Sequence, residues 1–147
     1  AVEKVEAAVA AARAQDFPFA LTARSENFIR GNPDLDDTIR RLQAFEAAGA
    51  DVLYAPGLPS LEAVRTVCQS VGKPVNVVMG LTGSGMTTAQ LAAVGVRRIS
   101  LGGVLARAAL GAFMAAAAEI QAGSYNFVDD AASFAKISQY MKRPEPS

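Results

Sequence analysis

The sequence predicts an α/β fold built on a parallel β-sheet. Three observations support this class: short apolar runs typical of strands alternate with longer amphipathic segments typical of helices, glycine or proline stands at most junctions, and the alternation continues along most of the chain. Strands separated by helices of 8 to 20 residues form βαβ units, whose strands run parallel with right-handed crossovers.

The first predicted unit is a helix that leads into a strand. Residues 2–14 place valine and alanine on one helical face, and the apolar run 17–23 is typical of a strand. The clearest helix of the chain follows over 35–48, where leucine, isoleucine and phenylalanine recur at helical spacing. Either Asp34 or Asp36 can cap its start.

Two further strand-and-helix units follow. Residues 51–55 form an apolar strand, and Ser60 caps a helix over 61–71 whose inner face is leucine and valine. Residues 74–79 predict a third strand, and residues 87–94 a short helix that a glycine ends.

The last part of the chain is predicted to be mainly helical. A fourth strand over 97–101 leads into a long alanine-rich helix over 104–122, and an amphipathic stretch lies around 131–141. We therefore expect βα units over 1–123 and a helical extension with a frayed tail over 124–147.

Four strands are half of what a closed barrel of this type requires. A (β/α)8 barrel needs about 250 residues, and the chain has 147. The four strands form either an open sheet or part of a barrel whose other strands lie outside the chain. The second is favoured, because the chain begins inside a helix without a capping residue or a preceding strand, and a parallel sheet needs both faces covered.

Composition excludes several classes of function. Fourteen Lys and Arg balance fourteen Asp and Glu, so no excess basic charge is present to bind nucleic acid or an anionic membrane. No apolar run reaches the roughly 20 residues of a bilayer span, and the N-terminus lacks the features of a signal peptide, so we expect a cytoplasmic protein. With no histidine and one cysteine, serine-histidine and cysteine-histidine hydrolysis are excluded within this chain.

Candidate site residues lie at the carboxyl ends of the predicted strands, where parallel α/β folds bind their ligands. Arg24 follows the first strand and can clamp a carboxylate or phosphoryl group, or else pair with Glu26 or Asp34 on the surface. Tyr54 can donate to substrate or pack its ring in the core with the hydroxyl at the rim. Asn76 can donate to a substrate oxygen or hydrogen-bond a neighbouring strand.

Small-residue loops follow the last two strands. The segments 81–86 and 102–103 can offer backbone N–H groups to an anion, although they match neither a P-loop nor the dinucleotide fingerprint. Tight turns that need glycine are the alternative.

Cys68 has no cationic neighbour closer in sequence than Arg65 or Lys73, and we expect it to be a buried or half-buried residue without a catalytic role.

Three segments together carry a family resemblance: FALTARSE over 19–26, DLDDTIRRLQAFEAAGAD over 34–51 and KPVN over 73–76. The chain resembles the isocitrate lyase and phosphoenolpyruvate mutase superfamily, and within it the carboxyvinyl-carboxyphosphonate phosphonomutase-like group. The resemblance covers almost the whole chain but corresponds only to the second half of the family's (β/α)8 TIM-type barrel, with additional C-terminal helices.

The resemblance implies roles for some of these residues. Arg24 lies in a motif whose arginine binds carboxylate or phosphoryl oxygens of the substrate in the family, and Asn76 looks like an asparagine that the family places near the site. The family's lyases usually have a glutamate where this chain has Ala55-Pro56-Gly57, which argues against an ordinary isocitrate or methylisocitrate lyase.

The resemblance also implies a reaction class. The family binds a small α-keto or 2-hydroxy acid with Mg²⁺ and breaks or forms a C–C or P–C bond through an enolate. The Mg²⁺ ligands belong to the first half of the family's barrel, so this chain alone is expected to be inactive and to contribute no metal ligand. Family members are usually homo-oligomers, dimers or tetramers, with an exchanged C-terminal helix.

Two alternatives to a lyase or phosphonomutase-like enzyme stay open. The first is a noncatalytic half-barrel that serves as a structural or oligomerisation module through its alanine-rich helix, which permits close backbone approach. The second is a phosphate-binding barrel fragment that uses the loops at 82–85 and 102–103, and it accounts less well for Arg24.

Overall fold

The computed structural model of the chain describes residues 1–80 and 85–142. The chain divides into two compact units, Ala1–Val104 and Leu105–Ser147. The division predicted between residues 123 and 124 falls inside the second unit and stays a prediction.

The described residues form strands and helices in the predicted alternation. The strands are β1 (Thr22–Arg24), β2 (Val52–Tyr54), β3 (Val75–Val78) and β4 (Arg98–Ser100). The helices are α1 (Val2–Arg13), α2 (Leu35–Ala47), α3 (Leu61–Ser70), α4 (Thr88–Ala93), α5 (Val104–Gln121) and α6 (Phe134–Met141). Single 3-10 turns at Phe28–Arg30 and Asn126–Asp130 were not expected from the sequence.

The sheet confirms the predicted class. Its four strands lie in the order β1-β2-β3-β4, and every neighbouring pair is parallel. A doubly wound sheet reverses its strand order at a switch point, whereas a barrel adds each strand beside the previous one. The sequential order is therefore consistent with part of a barrel.

The core of the first unit lies between the sheet and its helices. Ala23, Leu53 and Val75 are buried on one face of three neighbouring strands, and they cluster with Leu42 of α2 and Val67 of α3. Successive side chains of a strand point to opposite faces of the sheet. The residues next to Ala23, Leu53 and Val75 along their own strands therefore point away from the helices.

Side-chain caps fix where the helices begin. Asp34, rather than Asp36, accepts a hydrogen bond from the backbone N–H of Asp37 at 2.8 Å, and Ser60 accepts one from Ala63 at 3.1 Å. These acceptors satisfy N–H groups that have no partner in the first turn of a helix.

The first strand is shorter than the prediction of 17–23. Residues 17–20 form no strand, and Phe17 is 54% exposed. Pro18 has no N–H to donate to a ladder. The Leu21 N–H donates instead to the Asp51 carboxylate at 2.8 Å, so regular pairing with β2 starts at Thr22.

The second unit exposes apolar surface. No residue of α5 is buried, and Leu105 and Phe113 are 67% and 70% exposed. By length and composition alone, α5 is also apolar enough to cross a membrane, with 18 residues and a mean hydropathy of 1.3. The absence of a membrane partner, expected from the sequence, therefore stays a prediction.

Candidate active site

One row of polar residues runs across the sheet at neighbouring positions of all four strands. Arg24 pairs with Tyr54, Tyr54 with Asn76, and Asn76 with Arg98. Residues paired in parallel strands point to the same face of a sheet, and this face lies opposite the one that packs on the helices. We call these four residues the polar row. The structure thus brings together Arg24, Tyr54 and Asn76, all three site residues predicted from the sequence.

Arg24 ends β1 and forms an ion pair. Its guanidinium donates to Glu26, whose other carboxylate oxygen accepts from Arg30 at 2.8 Å. The hydrogen bond from Arg30, together with the positive charge of Arg24, holds the pKa of Glu26 below its usual value. The pair with Glu26 was one of the surface partners left open by the sequence. It also fixes the direction of a guanidinium that stays exposed at the end of the strand.

A chain of hydrogen bonds anchors the loop after β1. The Ser25 hydroxyl donates to the Asn27 side-chain oxygen at 3.0 Å, and the Asn27 amide donates to Asp37 at 2.7 Å. Arg41 donates to the same carboxylate at 2.6 Å, and this bond and the one from Asn27 lower the pKa of Asp37. Because Ser25 directly follows Arg24, the buried network ties the base of that arginine to α2.

Asn76 uses its amide within the protein. Its side-chain oxygen accepts from Arg98 Nη1 at 2.7 Å, and its nitrogen donates to Ser100 Oγ at 3.0 Å. The side chain is only 1% exposed. The structure therefore shows the hydrogen bonds to a neighbouring strand that the sequence left open beside a substrate contact.

Tyr54 lies between two positive charges on the sheet. Partial burial raises the pKa of its hydroxyl, and the guanidinium charges of Arg24 and Arg98 act in the opposite direction. The phenol is thus neutral at physiological pH and can donate a hydrogen bond.

The glycine-rich loops carry a mixed result. Residues 81–84, part of the loop proposed to hold phosphate, lie outside the described residues. Gly80 and Gly102 have φ angles of 96° and 53°, so the turns after β3 and β4 do require glycine backbone angles there.

Cys68 is half-buried, and burial raises the pKa of its thiol, which fits a residue without a catalytic role.

The described residues do not fit a magnesium site. Over 1–80 and 85–142, no group of three or more Asp, Glu, His or Cys side chains lies close enough to hold a metal ion. Mg²⁺ prefers carboxylate oxygens as its protein ligands. The carboxylates near the polar row, Glu26 and Asp37, are both engaged by arginines.

Sequence reasoning missed two residues of this face, Arg98 and Ser100. Both lie in β4, and both bind Asn76. The doublet Arg97-Arg98 was visible, but only the strand register decides which arginine shares a face with Arg24. The sequence carries no signal that separates Arg98 from Arg97, because the register of β4 against β3 is a property of the folded sheet.

The chain is similar to several proteins of known structure. A family model described as phosphoenolpyruvate phosphomutase matches residues 1–121. A solved protein from Burkholderia cenocepacia J2315, provisionally described as a lyase/mutase, is 53% identical over 97% of this chain and 52% of its own, with a TM-score of 0.93. No curated protein matches the chain.

More distant solved structures point to the same family. Phosphoenolpyruvate phosphomutase from Streptomyces platensis subsp. rosaceus is 28% identical over 95% of this chain and 49% of its own, with a TM-score of 0.76. A phosphonopyruvate hydrolase in complex with oxalate and Mg²⁺ is 26% identical over 96% of this chain and 52% of its own, with a TM-score of 0.75.

The chain spans about half the length of these solved proteins. The parallel sheet, its sequential strand order and the match over residues 1–121 agree with one another and with the resemblance found in the sequence. The chain belongs to the phosphoenolpyruvate phosphomutase family, within the superfamily of phosphoenolpyruvate mutases and isocitrate lyases.

Proposed function

We propose that the chain forms the C-terminal part of a Mg²⁺-dependent lyase or phosphonomutase-like enzyme. Its substrate is a small α-keto or 2-hydroxy acid, in which the enzyme breaks or forms a C–C or P–C bond through an enolate. The observation that carries the proposal is the polar row, which has Arg24 at the carboxyl end of β1, where barrel enzymes bind their substrates.

In this proposal Arg24 binds the substrate and does not transfer protons. Its planar guanidinium can donate two parallel hydrogen bonds to a carboxylate or phosphonate. Glu26 and the network from Ser25 to Asp37 hold it in one orientation before substrate arrives. Such preorganisation lowers the entropy cost of positioning the substrate.

Tyr54 is proposed to donate its hydroxyl to a substrate oxygen, since the phenol stays neutral between two guanidinium groups. Asn76, the other substrate-binding residue expected from the sequence, is proposed to contribute by holding the side chains of Arg98 and Ser100 in place.

Magnesium enters the proposal from outside this chain. The described residues do not form a site for it, so its ligands would come from the other half of a complete barrel. When bound, the metal would supply positive charge to the reacting oxygens. In this proposal the chain alone is inactive. The solved phosphonopyruvate hydrolase in complex with oxalate and Mg²⁺ supports the Mg²⁺ dependence by similarity.

The intact mass of the native gene product tests the C-terminal-part proposal. A complete barrel requires a polypeptide of about 250 residues or more. A mass equal to the 15.3 kDa of this chain would contradict it and favour the noncatalytic module.

Turnover tests the enzyme proposal. The native gene product is assayed with Mg²⁺ against phosphonopyruvate, oxaloacetate and substituted malates. We expect turnover of at least one, and we expect Arg24→Gln to lower kcat/KM by about 100-fold or more, because a positioning charge is lost. Arg65→Gln, which removes an exposed arginine on α3, is the matched control and should leave kcat/KM unchanged. Equal activity of the two variants would remove Arg24 from the mechanism.

A homo-oligomer, dimer or tetramer, is proposed as the assembled form, in the cytoplasm and without a nucleic-acid or membrane partner. The exposed apolar side chains of α5 and α6, including Phe113 and Phe134, support self-association. The same observation favours the noncatalytic oligomerisation module as the second candidate function. Two measurements distinguish the enzyme from the noncatalytic module: light scattering after size exclusion, with and without Mg²⁺, and the turnover assay. Association that does not depend on Mg²⁺, together with absence of turnover, favours the module.

A further inference from the structure

Asn76 connects Arg98 to Ser100 through two hydrogen bonds whose direction is fixed. Arg98 Nη1 donates to the Asn76 side-chain oxygen at 2.7 Å, and the Asn76 nitrogen donates to Ser100 Oγ at 3.0 Å. A guanidinium has donors and no acceptor, so the amide must turn its oxygen to Arg98 and its nitrogen to Ser100. The Ser100 oxygen is therefore the acceptor of its bond with Asn76, and its own proton is left for another partner.

That proton has no acceptor in the described part of the protein. Within 1–80 and 85–142, the bond from Asn76 is the one hydrogen bond of the Ser100 hydroxyl. The residue paired with Ser100 on β3 is Val78, whose side chain has no polar atom. The next two positions after Leu101 are Gly102 and Gly103, which have no side chain to offer.

Hydroxyl groups elsewhere in the chain use their protons. Thr38, Thr66 and Ser70 each donate to the backbone carbonyl four residues earlier in their helix. A strand offers no such carbonyl, because its backbone oxygens point to the neighbouring strands. Ser100 thus differs from these helix residues in having an oriented hydroxyl with a free proton.

Ser100 lies where barrel enzymes bind their ligands. It is the last residue of β4, as Arg24 is the last residue of β1, and ligands bind at the carboxyl ends of parallel strands. It is two positions beyond Arg98 along the strand, so it lies on the sheet face that carries the polar row. The residue is half-buried, so a small ligand can reach its hydroxyl.

The chain of hydrogen bonds makes this hydroxyl a strong donor. Both bonds donate toward Ser100, and the chain begins at the positive charge of Arg98. Successive hydrogen bonds polarise one another, so each donor in the chain is strengthened by the one before it. A fixed donor of this kind stabilises an acceptor that gains negative charge more than it stabilises a neutral one.

We propose that Ser100 is a substrate-binding residue whose hydroxyl donates a hydrogen bond to the substrate oxygen that becomes negative in the enolate. Ser100 keeps its proton throughout, and Asn76 is its positioning residue. The proposal rests on the proposed function for the enolate. It adds a neutral donor on β4 to the guanidinium that Arg24 supplies from β1.

Oxalate, a planar dianion that resembles an enolate, is the probe that tests this inference. Its Kd is measured by calorimetry on the native gene product in the presence of Mg²⁺. Ser100→Ala should raise the Kd about tenfold or more, because a hydrogen bond to a charged group is lost. Ser100→Thr retains the hydroxyl and should stay within about threefold. Ser70→Ala is the matched control and should leave the Kd unchanged, because it removes a hydroxyl whose proton is already bound in α3.

Ser100→Cys separates the donor from the size of the side chain. A thiol is a weak donor of nearly the same size as the hydroxyl, so this variant should weaken oxalate binding almost as much as Ser100→Ala. It also serves as the test if Ser100→Ala does not fold. With a substrate that is turned over, both variants should lower kcat more than they raise KM, because the negative charge is present only after the substrate is bound.

Three results would overturn the proposal. The first is a change of less than about threefold in the oxalate Kd of Ser100→Ala or Ser100→Cys. The second is equal weakening by Ser100→Thr, which would indicate a packing role, and the third is absence of oxalate binding in the unsubstituted protein. Failure of the proposed function alone gives a different result: no oxo acid is turned over, while oxalate binding that depends on Ser100 persists.

Discussion

Replacing Asn76 by alanine should destabilise the protein strongly for the size of the change. The substitution removes a hydrogen bond to the charged Arg98 at 2.7 Å and one to the neutral Ser100 at 3.0 Å. Bonds to charged groups contribute about 1.5 to 3 kcal/mol and neutral ones about 0.5 to 1.5 kcal/mol. We therefore expect Asn76→Ala to lower the free energy of unfolding by about 2 to 4.5 kcal/mol.

The assay is urea unfolding followed by far-ultraviolet circular dichroism at pH 7. Asn32→Ala is the matched control, because Asn32 is exposed in a loop and the change should cost less than about 0.5 kcal/mol. Asn76→Asp should cost less than Asn76→Ala, since a carboxylate still accepts from Arg98. If Asn76→Ala lowered the free energy of unfolding no more than Asn32→Ala does, the hydrogen bonds of Asn76 would not contribute the stability assigned to them.

Three further predictions concern stability. The hydrogen bond from Arg13 lowers the pKa of Asp51 in the folded protein below its unfolded value of about 3.9. The ionised Asp51 therefore stabilises the fold above about pH 4, and this stabilisation is lost as pH falls through the folded pKa. Melting temperatures measured from pH 7 to pH 2 should consequently fall less steeply in Arg13→Gln than in the unsubstituted protein. Gly80→Ala should destabilise the protein by about 1 kcal/mol or more, because φ is 96° and the new Cβ would lie 2.9 Å from a valine side chain. Gly111→Ala, where the new Cβ meets open space, should instead stabilise α5 by about 0.5 to 1 kcal/mol. Chemical unfolding of the two variants compares these effects. Ser60→Ala should cost about 1 kcal/mol in the same assay, because it removes a helix cap, and no loss would contradict that capping contact.

Local signals predicted most of the fold. The helix over 35–48 differs from α2 by one residue at its C-terminal end, because apolar spacing and the Asp34 cap act within a few residues of each other. The strand over 17–23 was too long, since the sequence shows apolar character but not which N–H groups have partners. The side chain of Asp51, distant in sequence, determines where regular pairing begins.

The candidate site was predictable only in part. Arg24 could be found because it directly follows an apolar run and lies in a family motif. Whether Asn76 faces a substrate or a neighbouring strand depends on Arg98 and Ser100, which lie more than twenty positions away along the chain. Strand register is a property of the folded sheet, so no local pattern could have selected Arg98 over Arg97.

A crystal structure of the native gene product with oxalate and Mg²⁺ tests the central claim most directly, because it locates a small oxo-acid analogue relative to the polar row. We expect an oxalate oxygen within about 2.7 to 3.2 Å of the Arg24 guanidinium, on the sheet face that also carries Tyr54. Oxalate bound elsewhere, with Arg24 still paired only to Glu26, would contradict it.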